Sequence, residues 1–272
     1  MIDIDTLWRK VREANPLVHT ISNLVSANDC ANLLLAVGAS PIMASAIQEM
    51  EDITRISQAT VLNLGTPSDT KYATCTKAGV NANAFAHPVI IDPVGVAASR
   101  YRKEKITELL HHVQPTIIRA NVGEIQSLLG SKSQARGVDS FGQNTTDGQS
   151  DAVLLARQLN CVVLMTGPSD FITDGMRSYL IKGGSSLLTR LTGTGDMLSV
   201  LCGALSYITD PLTAATCASF TWKIIGELVN DTASGLGQAH MQLFDYASQM
   251  EQLTNKNHNV SIEEVGGKTH DD

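Results

Sequence analysis

Four short β-branched runs, each closed by polar or glycine punctuation, constrain this chain more than any other feature: VLNLGT at 61–66, PVIIDPVG at 88–95, TIIRANVGE at 116–124 and CVVLMTG at 161–167. Apolar runs of this length without alternation suit strands buried on both faces. Helix-like stretches from Ser68 to Ala82, Ala98 to Val113 and Asp151 to Leu159 lie between them and fit crossovers joining parallel neighbours. The spacing predicts a mainly parallel, doubly wound α/β sheet with helices on both faces. Ligands of such sheets sit outside the carboxyl ends of the strands, so Asn63, Asp92, Arg119, Asn121, Glu124 and Thr166 are expected to converge. Phe171 to Ile181, with Asp174-Gly175 at its centre, has the chemistry of a hairpin.

At 272 residues the chain fits one large α/β domain, expected over 1–250, with a polar tail over 251–272 expected to be frayed or disordered. Aromatic residues are only 4% of a chain that is 43% hydrophobic, so Ala, Val, Ile and Leu must fill the core. A formal charge of −7 argues against nonspecific binding to nucleic acid or anionic membrane. The five cysteines include no CxxC pair, which points away from a disulfide framework or structural zinc. With no apolar signal core at the start and no apolar run of membrane-spanning length, the expectation is a soluble protein of the reducing cytoplasm.

Chemistry concentrates in Thr192-Gly193-Thr194-Gly195-Asp196, two glycines and two hydroxyls before a small-residue helix. Backbone N–H groups at such a helix start suit a phosphate. Asp196 then either caps the helix or accepts a proton from a substrate hydroxyl. Asp92, in DPVG, and Glu124, in NVGE, offer hard oxygen ligands for Mg²⁺ at adjacent strand ends. Each also has an ordinary reading, Asp92 as a turn residue and Glu124 as a first-turn acid. Arg119 ends an apolar strand and needs an anionic partner, either phosphate or a structural carboxylate. In PLVHTISNLVSANDCAN, His19, Ser22, Asn23 and Asn28 are polar groups that could line a small-molecule pocket, although a lone His is more often structural. Met43 reads as core on composition, and His111-His112 as a solvated helix face. Gly266-Gly267-Lys268-Thr269 ends like a P-loop but lacks the earlier glycine, and no GxSxG or HExxH is present.

Taken in order, PLVHTISNLVSANDCAN, GASPIM, LNLGT, DPVGVAASRYR, IIRANVGEI, RGVDS, VVLMTGPSDFITDG and LTGTGD closely resemble the hydroxyethylthiazole kinases, thiamine-salvage enzymes of the ribokinase-like superfamily. The resemblance spans roughly Pro16 to Lys223. It implies a three-layer α/β/α fold and ATP-dependent phosphorylation of the hydroxyl of 4-methyl-5-(2-hydroxyethyl)thiazole, by a homotrimer with active sites at subunit interfaces. Matched position by position, it implies ATP contacts at Arg119 and Thr166, thiazole contacts at Met43 and Gly193, and a further contact across the subunit interface at Asn23. It also implies Mg²⁺-associated acids at Asp92 and Glu124 and anion-hole glycines at Gly193 and Gly195. The family usually carries Cys after the GTG element, where this chain has Asp196; it often has glycine where DPVGVAAS has alanine, and where Ala120 stands. In the wider superfamily an Asp at this place is the general base, so the resemblance makes Asp196 catalytic. GTGD also suits a nucleotide-dependent dehydratase of hydrated nicotinamide cofactor or a hydroxymethylpyrimidine kinase. A binding protein without catalysis is the remaining reading, opposed by the joint presence of Asp92, Glu124 and Asp196.

Overall fold

The computed structural model describes residues 2–130 and 145–265. The first half of the chain runs α1 (Ile4–Ala14), β1 (Leu17–Ile21), α2 (Ala27–Ala36), β2 (Ser40–Ile42), α3 (Met50–Ile56), β3 (Ala59–Asn63), α4 (Asp69–Ala84), β4 (Val89–Asp92), α5 (Arg100–His112), β5 (Ile117–Asn121) and α6 (Val122–Leu128). There follow α7 (Thr145–Leu159), β6 (Val162–Thr166), β7 (Asp170–Thr173), β8 (Ser178–Lys182), α8 (Thr194–Ser206), α9 (Pro211–Thr232), α10 (Leu236–Ala247) and β9 (Ser261–Val265).

Among the described residues the strands form one sheet in the order β2-β1-β3-β4-β5-β6-β7-β8-β9. The pairings from β2 to β6 are parallel, and those from β6 to β9 antiparallel. Successive strand residues face opposite ways. Val61, Ile90, Ile117 and Leu164 enter one hydrophobic layer with α2, α8, α9 and α10. Their neighbours Leu62, Ile91, Ile118 and Val163 enter the other with α4, α5 and α7. This is a three-layer α/β/α fold, as the sequence predicts.

Several of the helices begin where polar side chains supply the missing acceptors. Ser68, Ser99 and Asp210 accept from the backbone N–H of Lys71, Arg102 and Thr213. Pro211 follows Asp210 at the start of α9, where its missing N–H costs nothing. On one face of the sheet, α8 and α9 are built of Ala, Gly, Ser, Thr and Cys among larger apolar groups, and this lets the helix backbone come close to the side chains of the strands. A Cβ on Gly203 would lie 2.8 Å from Val61.

Beyond Gln249, where a frayed polar tail is expected, the chain instead continues as a 3₁₀ turn over Met250–Asn255 and returns as the edge strand β9. Met250, Leu253 and Val260 are buried and anchor it, while β9 pairs along β8 from Ser178↔Val265 to Lys182↔Ser261. The side chains of β9 are nearly all solvated, so its composition carries no strand signal; backbone pairing and the Lys182–Glu263 ion pair hold it. Residues 266–269 and RGVDS at 136–140 lie outside the described residues.

Candidate active site

The order of the strands locates the crevice. The chain passes from β1 outward to β2 and then returns to β3 on the other side of β1, so crossovers leave in opposite directions at the β1/β3 boundary. Such switch points open a cleft at the carboxyl ends of the strands. Asn23 lies just beyond β1, and Asn63 ends β3 in register with Asp92 at the end of β4. Further along, Asn121 ends β5 in register with Thr166 at the end of β6.

Helix α8 points its N-terminus into this crevice. Gly193 occupies the N-cap position with φ of 82°, a left-handed conformation natural to glycine. A Cβ there would also meet that of Ser26 at 2.8 Å. Asp196 is therefore not the cap. Its carboxylate turns away from its own helix and accepts at Oδ2 from Asn23 Nδ2, at 2.6 Å, and from the Ser26 hydroxyl. Asn23 is itself fixed: Nδ2 also donates to Asn63 Oδ1 at 3.0 Å, and Oδ1 accepts from the backbone N–H of Val25 and Ser26. Lys71 Nζ closes the support from α4, donating to the carbonyls of Ser22 at 2.9 Å and Gly65 at 2.5 Å. Burial lowers the Lys71 pKa, and Asp196 and Asp92 are among the charges opposing that shift.

Beside the same helix start lies Arg119. An added Cβ on Gly195 would sit 2.4 Å from Arg119 Nη1, so the guanidinium lies directly against the glycine backbone. Nη2 donates to Thr166 Oγ1 at 3.0 Å, and Nη1 is 3.5 Å from Asp92 Oδ2. Burial opposes the Arg119 charge, but Asp92, Glu124, Asp196 and Asp170 together raise its pKa. Asp92 is fully buried; Oδ2 also accepts from Ser199 Oγ at 2.8 Å, whereas Oδ1 has no partner. Burial pushes the Asp92 carboxyl up to about 7, against the pull of Arg119, with Asp196 and Glu124 adding to the rise.

Glu124 takes the place of a first-turn acid. With Asn121 it forms a reciprocal capping box at the start of α6, and its other oxygen accepts from Gly95 N at 2.8 Å, joining the DPVG turn to β5.

The structure thus brings together Asn23, Arg119, Thr166, Gly193, Gly195 and Asp196 and links them through Asp92 to Ser199, with Glu124 electrostatically coupled to Asp92. Met43 directly follows the edge strand β2 at its carboxyl end and is half-buried against the α2/α8/α9 layer. His19 is buried and meets the Ala44 carbonyl at 3.0 Å, the structural reading; burial depresses its pKa. Asn28 pairs with Asn32 on α2 rather than with the cluster. Ser26, Ser199 and Lys71 were not singled out by the sequence. The signal available for Ser199 was its place three residues after Asp196, on the same helical face.

Among the described residues no three His, Cys, Asp or Glu side chains form a metal cage. The donors do suit a cation brought on phosphates and largely hydrated: Asp92 Oδ1 is an unpartnered buried oxygen, and Asp92 and Glu124 are hard ligands.

A switch-point crevice, a helix started by Gly193 and carrying the pinned Asp196 carboxylate, and Arg119 against Gly195 are set on a ribokinase-like α/β fold. A ribokinase-like superfamily protein from Enterococcus faecalis shares the fold at a TM-score of 0.61 with 12% identity, covering 90% of this chain and 89% of that one. The family model for the hydroxyethylthiazole kinase family matches residues 8–254, and the chain belongs to that family. A hydroxyethylthiazole kinase of Clostridium botulinum is 40% identical over 254 residues, 91% of each chain. One from Pyrococcus furiosus is 38% identical over 246 residues, 90% of this chain and 92% of that one. The solved hydroxyethylthiazole kinase of Pyrococcus horikoshii superposes at a TM-score of 0.89 with 34% identity, covering 97% of this chain and all of that one.

Proposed function

We propose that the chain phosphorylates the hydroxyl of 4-methyl-5-(2-hydroxyethyl)thiazole with ATP, as a step of thiamine salvage, with Asp196 as general base. The observation that carries this is the Asp196 carboxylate, held by Asn23 and Ser26 at the start of α8 rather than spent as a cap. A base fixed in this way can take a proton from an alcohol whose oxygen attacks the γ-phosphorus. The alcohol oxygen forms the new P–O bond, ADP leaves, and the proton passes to Asp196.

Arg119 and Thr166 hold nucleotide phosphates in this reading, and the backbone at Gly193 and Gly195 receives charge that develops on the transferred group. Mg²⁺ would be held through Asp92 and Glu124, mostly by way of water, and supplies charge neutralisation on the phosphates when bound. Gly193 and Met43 contact the thiazole. The proposal includes a homotrimer with active sites between subunits: Leu24 and Val25, directly beside Asn23, are 91% and 61% exposed, an apolar pair suited to a covering neighbour.

We place the protein in the cytoplasm. Its five cysteines are free and buried, and burial pushes Cys30, Cys75, Cys161 and Cys202 up to about 12, so they are inert thiols, compatible with that placement. A solved nicotinamide-cofactor-hydrate dehydratase of Bacillus subtilis shares the fold at a TM-score of 0.60, but at 17% identity it speaks to architecture alone.

The test is ADP release with Mg²⁺-ATP and the thiazole, beside hydroxymethylpyrimidine and a no-acceptor control, with product mass confirmed. Thiazole-dependent turnover supports the assignment. Release confined to the pyrimidine, or none from folded protein, overturns it.

A further inference from the structure

Lys223 is the one charge in the run CASFTWKIIG of α9, and it is 8% exposed. A buried ammonium is costly unless its protons are taken up. Here Nζ faces the carbonyls of Gly167 at 3.3 Å, Pro168 at 3.2 Å and Gly183 at 3.3 Å, together with Asp170 Oδ1 at 3.4 Å. Three main-chain carbonyls and one carboxylate thus form an oxygen cage around the tethered ammonium.

The cage spans two separate loops. Residues 167–169 leave β6 directly after Thr166 and lead to Asp170 at the start of β7, whereas Gly183 and Gly184 begin the run that leads to Gly193. Both loops are gripped by one stripe of α9 spaced four residues apart: Ser219, Lys223 and Glu227. Ser219 Oγ donates to Asp170 Oδ2 at 2.8 Å, and Asp170 Oδ1 accepts from Gly167 N at 3.0 Å. Glu227 accepts from Gly184 N and Asn259 N, both at 2.8 Å. The glycines allow the approach: a Cβ on Gly184 would lie 3.0 Å from Lys223 Cγ, and one on Gly183 would lie 3.0 Å from Glu227 Oε1.

We propose that Lys223 is a positioning residue for the nucleotide. By tying the loop after Thr166 to the run that ends at Gly193, it presets the two sides between which the nucleotide is held. This rests on the reading of Arg119 and Thr166 as nucleotide contacts. It does not require that the acceptor be a thiazole.

The experiment is calorimetric titration of ADP and Mg²⁺-ATP into the full-length protein and Lys223→Ala. The expected result is ~10-fold weaker nucleotide binding in the variant, the loss of a charge-assisted set of hydrogen bonds, with thiazole affinity unchanged. Ammonium or ethylammonium chloride restores most of the loss, whereas sodium chloride at equal ionic strength does not. Wild type responds to none of the three. Unchanged nucleotide affinity, or a loss that ammonium ions do not reverse, overturns the proposal.

Should Lys223→Ala fail to fold, Glu227→Gln leaves the cage intact and loosens only the second grip. It is expected to weaken ADP about 3-fold, and an unchanged affinity counts against the proposal. If wild type binds ADP in a Lys223-dependent way yet never phosphorylates the thiazole, the reaction reading fails and this one stands. Thiazole turnover with nucleotide affinity indifferent to Lys223 is the reverse. A wild type that binds no ADP overturns both.

Discussion

Asn23 donates to Asp196 Oδ2 at 2.6 Å, across 173 residues of sequence. The same amide nitrogen reaches Asn63, and the Asn23 carbonyl oxygen takes two backbone N–H groups, so the donor cannot turn away without breaking its own loop. Asn23→Ala is expected to lower kcat by ~10-fold, the range for a hydrogen bond to a charged group. Calorimetric affinity for ATP stays unchanged, because Arg119 and Thr166 are untouched. Equal loss of both would mean that Asn23 acts on the nucleotide instead.

Gly195 answers to sterics. An alanine methyl there meets Arg119 at 2.4 Å, 2.5 Å and 2.6 Å from Nη1, Nη2 and Cζ, so the guanidinium must leave Thr166 and Asp92. Alanine is the better helix former, so helix propensity cannot explain a loss. Gly195→Ala is expected to raise KM for ATP by ~10-fold. Steady-state kinetics with a thermal melt checks this; a variant with wild-type KM for ATP contradicts the close approach.

Asp92 predicts a pH signature. Burial raises its carboxyl from 3.8 to about 7. Below about pH 4 both folded and unfolded chains hold the proton, and the group costs nothing. Between there and about pH 7 the unfolded chain has released it while the folded chain has not, so stability falls as pH rises; above that the full cost is present. Asp92→Asn removes this slope, while the loss of a partner for the permanently charged Arg119 displaces the curve without tilting it. The Tm of the variant minus that of wild type should therefore climb from pH 4 to pH 7 and then level. A flat difference contradicts the raised pKa.

Metal removal separates chemistry from fold. Both oxygens of Glu124 already accept backbone N–H groups, and Asp92 is held by Arg119 and Ser199, so neither acid depends on a metal for its place. EDTA is expected to abolish turnover while the melting temperature without nucleotide moves by less than about 1 °C, well within the shift a weak surface effect produces. A large drop in Tm would reveal a structural metal.

The parallel strands were legible because burial on both faces leaves uninterrupted β-branched runs, and the polar residues that end them converge simply because the strands are parallel. Asn63, Asp92, Arg119, Asn121 and Thr166 were read in this way. Ser26 and Ser199 were not, because a small hydroxyl near a helix start or within a helix has many ordinary uses, and only the folded chain brings Asp196 and Asp92 to them. Lys71 and Lys223 looked like ordinary lysines for the same reason: their partners are mostly backbone carbonyls, which leave no trace in side-chain chemistry. β9 escaped because an edge strand with both faces wet needs no apolar pattern.

The most direct test is Asp196→Asn, an isosteric change that keeps an acceptor oxygen but removes the base. Single-turnover phosphorylation of the thiazole is measured beside calorimetric ATP affinity. The account predicts a fall in rate on the order of 10²–10⁴-fold with ATP affinity held within about 3-fold. A variant that turns over at near wild-type rate contradicts the central assignment.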